Sequence, residues 1–442
     1  MMTTTVLTKQ IYAALKEELP DTAPYSFIYQ SSNEPFSTIG LNPENIVLFQ
    51  DNKLIIKKDG SEQQVALSDE PLFKQIKSLL NPQKPCFFLI SPDIYRGLQD
   101  PLVPSAIFIQ PSVEIRINKD KSIEIWFANP QSEKALKKSI SKVLNNKTSE
   151  KPTFNKHQNN NKTNTWTSEA DDSFLKRLRA SINLLQTEAG KMIISRTYKQ
   201  PYASSLDTFH LYDIYSDLEP NCAASHYANI GDNQYSLGCS PENIFELKDN
   251  TLFFDVIAST RGVSPDPEKN KRWQQELLED EKENTEHIMA LNRYKNRMQQ
   301  LCQKGQYQID FIKKVRTFKH VKHLYSRLSG QLKSGIKLFD LLEDSYPPLN
   351  SYPDSLVLKA DLRIEPFHFY GGMVGYSEIG MDNASCFLNI RAALLSDSQA
   401  FTQGGVGVIK DSQAESELLE VQNKLACLME AFDLWQGQQH AS

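Results

Sequence analysis

The chain has 442 residues, of which 40% are hydrophobic and 23% charged, and its formal net charge is −5. These proportions describe a globular protein large enough for one big domain or two to three ordinary ones. The slightly acidic balance, with no Lys/Arg cluster, argues against a nucleic-acid partner, and no run approaches the apolar length of a membrane span.

In chain order, the first twenty residues lack the apolar core of a secretory leader, and 5–19 read as a helix. From 25 to 130 strands dominate: "NIVLFQ", "KLIIKK", "CFFLIS", "AIFIQP" and "SIEIWF" are short β-rich runs separated by Asp-Asn, Asp-Gly and Pro turn signals. Residues 131–144 return to helical spacing. The segment "NNKTSEKPTFNKHQNNNKTNT" (145–165) carries almost nothing apolar. It cannot offset its ordering entropy by burial and is expected to be a flexible connector or surface loop. The chain therefore divides into a β-rich part (1–144), a connector (145–168) and a longer αβ region (169–442). In that region a helix over about 170–187 leads into "KMIISR", and "YSLGCSPENIFEL" and "TLFFDVIAST" read as further strands. One long charged helix is expected over roughly 267–303, and another over roughly 413–435. There is no internal repeat, and the layout predicts an α+β fold of mixed β-sheets covered by helices. Six cysteines (86, 222, 239, 302, 386 and 427) without CxxC spacing point to a reduced, cytoplasmic protein with buried thiols. Eight histidines without HxxxH or HExxH spacing give no support to a zinc site.

Four features carry candidate chemistry. Lys191 opens an otherwise apolar strand, either as its solvent-facing start or as a functional amine whose burial lowers its affinity for a proton. Glu283 and Glu286 share one helix face, and Glu417 and Glu420 repeat the spacing on the last helix, followed by Lys424. Carboxylate pairs converging from two helices suit Mg²⁺, although charged helix faces are also commonly just solvated. In "TQGGVGVIKDS", Gly404, Gly405 and Gly407 allow close approach of backbone to a ligand, or form a plain turn. The Ser-Pro-Glu turn of "SLGCSPENIFEL" aims Glu242 into a cleft or leaves it as a solvated acid.

Together and in this order, "KMIISR", "LGCSPE", "IASTRG", "EKENTEHIM", "VKHLYSRLSG", "IEPFHFYGGMVGY", "NIRAAL" and "GGVGVIKDSQAESELLEVQNKL" resemble the chorismate-utilising enzymes. That family includes anthranilate synthase component I, aminodeoxychorismate synthase component I, isochorismate synthase and salicylate synthase. The stretches cover about 170–435, and "STIGLNPENIVLF" and "YRGLQDPLVPSAIFIQPSVEIRI" resemble the family's N-terminal part. The resemblance implies the anthranilate synthase component I-like fold, as one layered α/β body, with chorismate as substrate. It implies that Lys191 is the base that activates water, where ammonia-using members usually carry glutamine. Glu242 then matches the general acid for the departing C4 hydroxyl. Glu286 and Glu417 match Mg²⁺ ligands, with Glu283 and Glu420 beside the metal. Arg391 and Lys424 match cationic groups that hold the substrate's carboxylates. Tyr370, Gly405 and Gly407 match the lining around the enolpyruvyl side chain, and Thr260 and His323 match positions at the ring.

Lys191 and Ala258 argue against the ammonia-using branch, so no glutaminase subunit is expected. "QIDFIKKVRTFKHVKHLYS", the "RAA" after "NI" and "YRGLQ" resemble the salicylate synthase pattern. The implied activity is Mg²⁺-dependent conversion of chorismate to isochorismate, then loss of pyruvate to give salicylate for siderophore or similar biosynthesis, by a cytoplasmic monomer. The alternatives are an isochorismate synthase that stops at the intermediate and a repurposed chorismate-binding protein. Three stretches depart from the family pattern, one of them "EHIMALNRYKN", which lacks the acidic and Arg-Asn-Asp pattern of the ammonia-using enzymes and so fits the branch choice. Ser259 stands where the family has glycine in Ala-Gly-Thr, and "YPPLNSYPDS" (346–355) has no glycine.

Overall fold

Two long strands, Phe36–Gln50 and Ala106–Asn118, each serve two sheets. The ladder between them slips where Pro43 faces Pro111, a level at which neither residue has an N–H to give. On one side of this bend the sheet continues through Phe27–Ser31, Ala224–Gly231, Gln234–Ser240, Ala392–Ser396, Gln399–Val408 and Met192–Pro201. On the other side Cys86–Ile90 leads through Gly372–Ser377, Ala384–Asn389, Asn243–Lys248 and Thr251–Gly262 to the hairpin of Cys302–Thr317 and Val321–Leu332. Every ladder between the described strands is antiparallel. The computed structural model describes residues 4–19, 24–58, 60–96, 100–145, 166–345, 349, 351, 356, 366 and 368–437. The expected connector lies almost wholly outside these residues, as does most of 346–355.

The turn signals act as the sequence suggests. Asp51-Asn52, Asp232-Asn233, Asp249-Asn250 and Asp397-Ser398 all have positive φ, as two-residue hairpin turns of the primed type require. Between the sheets lies an apolar cluster that includes Phe27, Tyr29, Phe87, Leu89, Ile107, Tyr376 and Phe387. The alternate residues Cys86, Phe88 and Ile90 join a second cluster, under the helices Leu72–Leu79, Glu281–Leu301 and Leu338–Asp344. A strand buried on both faces reads as an unbroken apolar run, which explains "CFFLI". The helices Thr4–Glu18, Pro130–Asn145, Thr208–Leu218 and Ala414–Gly437 cover the outer face of the first sheet. Asp171–Leu185 packs beside them on Met192–Pro201 and Gln399–Val408. The layers are thus helix, sheet, sheet, helix, an α+β architecture in which strands of 1–144 pair directly with strands of 169–442.

The single helix expected over 267–303 is two, Pro267–Glu279 and Glu281–Leu301. Asp280 leaves the helical region (φ −62°, ψ 120°) and its carboxylate meets Arg261 at 3.1 Å. Neither glycine nor proline marks that break, so the charged pattern runs through it. No helix among the described residues is long and apolar enough to cross a membrane.

Candidate active site

Where strands pass from one sheet to the other, their ladder is interrupted twice at one level. Gln234–Ser240 pairs with Ala392–Ser396, and Asn243–Lys248 pairs with Ala384–Asn389, which leaves Pro241-Glu242 and Ile390-Arg391 unpaired at the corner. The corner is tied by Ser240 Oγ donating to the Leu388 carbonyl (2.6 Å) and by the Leu388 N–H donating to the Glu242 carbonyl (2.9 Å). Arg391 takes a left-handed φ of 51°, and its carbonyl accepts from the Cys239 N–H (3.1 Å) and the Tyr215 hydroxyl (3.0 Å). Burial pushes the Glu242 carboxyl up to about 7, against the opposing pull of Lys424, Lys191 and Arg391. Those four residues therefore share one electrostatic site.

Lys191 stands half-buried at the head of Met192–Pro201. Strand alternation turns Met192 and Ile194 into the cluster beneath Asp171–Leu185, away from Lys191, and leaves half-buried Ile193 on its face. It lies instead across Gly407, where a Cβ would overlap its Cε and come within 2.7 Å of Nζ. Gly405, two residues earlier, leaves room for the Tyr370 hydroxyl, which would lie 2.7 Å from a Cβ there. The glycines expected to bring backbone to a ligand thus also clear space for two side chains. Gly407→Ala should leave the fold intact, because a lysine tip can move, yet lower turnover roughly 10- to 100-fold by displacing that tip. Steady-state kinetics alongside thermal melting would separate the two effects.

Lys424 donates to the Gly405 carbonyl at 3.0 Å and pairs with Glu420 at 2.8 Å. His323 Nε2 lies 2.9 Å from Arg391 Nη2, and its Nδ1 lies 3.0 Å from Thr260 Oγ1. A guanidinium only donates, so Nε2 accepts and the imidazole proton resides on Nδ1, facing Thr260 and the Ser259 carbonyl. Burial first, then the charges of Arg391 and Lys424, hold His323 neutral, far below its ordinary pKa. With Thr260 Oγ1 accepting from His323, its own hydrogen is available to an acceptor in the site. The Arg391 guanidinium also lies 4.7 Å over the Phe318 ring. Tyr370 is buried, and desolvation and the nearby Glu242 keep its hydroxyl protonated.

Ser259 has a φ of 70°, at the point where the ladder slips between Ala258 and Thr260. That conformation gives a physical reason for glycine in the family pattern. Ser259→Gly should raise stability by about 1 kcal/mol, seen as a higher denaturant midpoint at unchanged slope.

Glu417, 8% exposed, and the half-buried Glu420 occupy the first turns of Ala414–Gly437. Glu283 and Glu286 belong to Glu281–Leu301, but their side chains lie outside the described residues. Among the described residues no group of three His, Cys, Asp or Glu is placed to hold a metal ion. The described part of the expected donor set is all carboxylate, the chemistry a hard divalent ion takes.

Sequence reasoning did not find Asp100, His368 or Ser351. Ser351 Oγ accepts the Ile193 N–H at 3.0 Å and is one of the few described residues of 346–355. His368 stands two residues before Tyr370 in "EPFHFYGG", a proximity that could have drawn notice; Asp100 left no signal.

The sequence profile of the chorismate binding enzymes matches residues 24–430. Anthranilate synthase component 1 of Streptomyces coelicolor is 27% identical over 275 residues, 60% of this chain and 52% of that protein. The chain spans about half the length of the curated relatives it matches. Among solved structures, anthranilate synthase component I from Streptococcus pneumoniae shares the fold with a TM-score of 0.74 at 20% identity, covering 90% of this chain and 93% of that one. The menaquinone-specific isochorismate synthase from Escherichia coli gives 0.68 at 17% identity, covering 93% and 89%.

Proposed function

The chain belongs to the chorismate-binding enzymes, and from that premise we propose that it adds water to chorismate to form isochorismate, which then loses pyruvate to give salicylate. The observation that carries this reading is an amine, Lys191, sharing a site with Glu242, a carboxyl that burial keeps protonated up to about pH 7. Water is a poor nucleophile until a base takes its proton, whereas neutral ammonia is nucleophilic enough to attack without prior deprotonation. A lysine base is therefore useful for water and superfluous for ammonia.

Lys191, acting as the base, takes a proton from water as the oxygen bonds to C2 of the ring. The ring double bonds shift, the C4–O bond breaks, and Glu242 gives its proton to the departing hydroxyl, which leaves as water. Arg391 and Lys424 hold carboxylates of the substrate, and the Thr260 hydroxyl donates to an acceptor at the ring. Mg²⁺ held by Glu286 and Glu417, with Glu283 and Glu420 beside it, would supply charge neutralisation at the ring carboxylate. Loss of pyruvate from isochorismate proceeds by intramolecular hydrogen transfer, which asks for positioning and no further catalytic group. Water addition needs no ammonia-supplying subunit.

The curated relative named above is an anthranilate synthase component, so amination is the competing reading. Incubation with chorismate, Mg²⁺ and ammonium, with products resolved by chromatography, separates the two. Isochorismate, or salicylate with pyruvate, lost on adding a chelator, is the expected result, and their ratio gives the extent of the second step. Anthranilate would overturn the reading in favour of amination. Unchanged chorismate would overturn it in favour of a binding protein.

A further inference from the structure

Tyr370 reaches the site from an unusual piece of backbone. His368 and Phe369 both have left-handed φ, 46° and 70°, and Gly371 follows at 74°. For residues with side chains that conformation is costly and persists only where the surroundings enforce it. Two ties come from within the second sheet: the Gly371 N–H donates to the Asn389 carbonyl (2.8 Å), and Asn389 Nδ2 donates to the Phe369 carbonyl (3.3 Å). A further tie comes from Asp100, 268 positions earlier in the chain. Asp100 Oδ2 accepts the His368 main-chain N–H at 2.9 Å and lies 2.9 Å from His368 Nδ1. The second oxygen, Oδ1, lies 3.1 Å from Nδ1 and accepts the Leu102 N–H at 2.9 Å.

The side chains are 0% and 5% exposed for Asp100 and His368. A buried carboxylate is expensive unless it is paired and hydrogen-bonded, and this one is both. Burial alone would raise the Asp100 carboxyl, but the bond and charge of His368, with two backbone N–H groups, hold it below its ordinary value. The His368 ring is pinned on another side, edge-on to Phe401 at 4.8 Å.

We propose that Asp100 is a positioning residue for the reaction: by gripping both the backbone and the ring of His368, it fixes the left-handed segment that delivers the Tyr370 hydroxyl against Gly405. The part of the chain before residue 144 thereby acts on the site without touching substrate. The inference rests on the reading of Tyr370 as part of the chorismate site.

Its test is a double-mutant cycle on the full chain with chorismate and Mg²⁺. Asp100→Asn, which keeps the shape but removes the charge, should lower kcat/KM roughly 10- to 100-fold in the otherwise unchanged protein. In a Tyr370→Phe background the same change should have less than about a twofold effect, because the hydroxyl it positions is already gone. Equal losses in both backgrounds would overturn the proposal. If Asp100→Asn does not fold, His368→Asn replaces it in the cycle, since asparagine tolerates the left-handed backbone while losing the ring.

A second readout does not depend on turnover. Amide hydrogen exchange at 368–372 should accelerate in Asp100→Asn while Ala224–Gly231 stays protected. If chorismate is not converted by the unaltered protein, the functional reading fails, and this exchange pattern alone decides whether Asp100 holds the segment. Uniform or unchanged exchange would then overturn it.

Discussion

Replacing Lys191 with glutamine should lower chorismate turnover by roughly 10³-fold or more, while the affinity for chorismate should change little. Glutamine preserves most of the length of lysine and still fits the space that Gly407 leaves, so the site keeps its shape. What it loses is the ability to take a proton. In the proposed mechanism the proton leaves water only as the new C2–O bond forms, so the loss should fall on kcat and not on binding. Kinetics paired with calorimetric titration of chorismate would check this split. A loss below about tenfold would mean that the base lies elsewhere.

Glu242→Gln is the second large effect, with turnover down by roughly 10²- to 10⁴-fold, the usual range for a lost general acid. It also carries a pH signature. With the carboxyl at about 7, kcat/KM of the unaltered enzyme should fall as pH rises through 7 and the acid is lost. The residual activity of the glutamine variant should lack that limb. Stability falls with rising pH as well. The native carboxyl is raised from 4.5 to about 7, so the folded state binds this proton more tightly than the unfolded chain. That contribution is fully present below pH 4.5 and is lost as pH rises through 7. A glutamine never ionises, so Glu242→Gln should gain thermal stability over the unaltered protein at pH 8 relative to pH 4.5. Melting curves at the two values test this without any substrate.

The fold was most legible where local chemistry decides the structure. Asp-Asn pairs between β-branched runs gave the hairpins, and the unbroken apolar "CFFLI" follows from burial on both faces. The helix break at Asp280 was hidden because an aspartate partnered by Arg261 does there what a glycine or proline usually signals. Glu242 and Arg391 could be picked out from their stretches, but their shared place at a corner between sheets could not. That corner depends on ladders between residues more than a hundred positions apart. Lys191 shows the limit most plainly: its environment is set by Gly407 on the neighbouring strand, while Met192 and Ile194 face away from it. Asp100 and His368, 268 positions apart, meet only once both sheets have formed.

The proposed nucleophile is water, activated by Lys191. The most direct measurement is turnover of chorismate in ¹⁸O-labelled water with Mg²⁺ and ammonium both present, the products weighed by mass spectrometry. The expected result is one ¹⁸O at C2, as the ring hydroxyl of isochorismate or the phenol oxygen of salicylate. A product carrying nitrogen at C2, or a hydroxylated product without label, would contradict it.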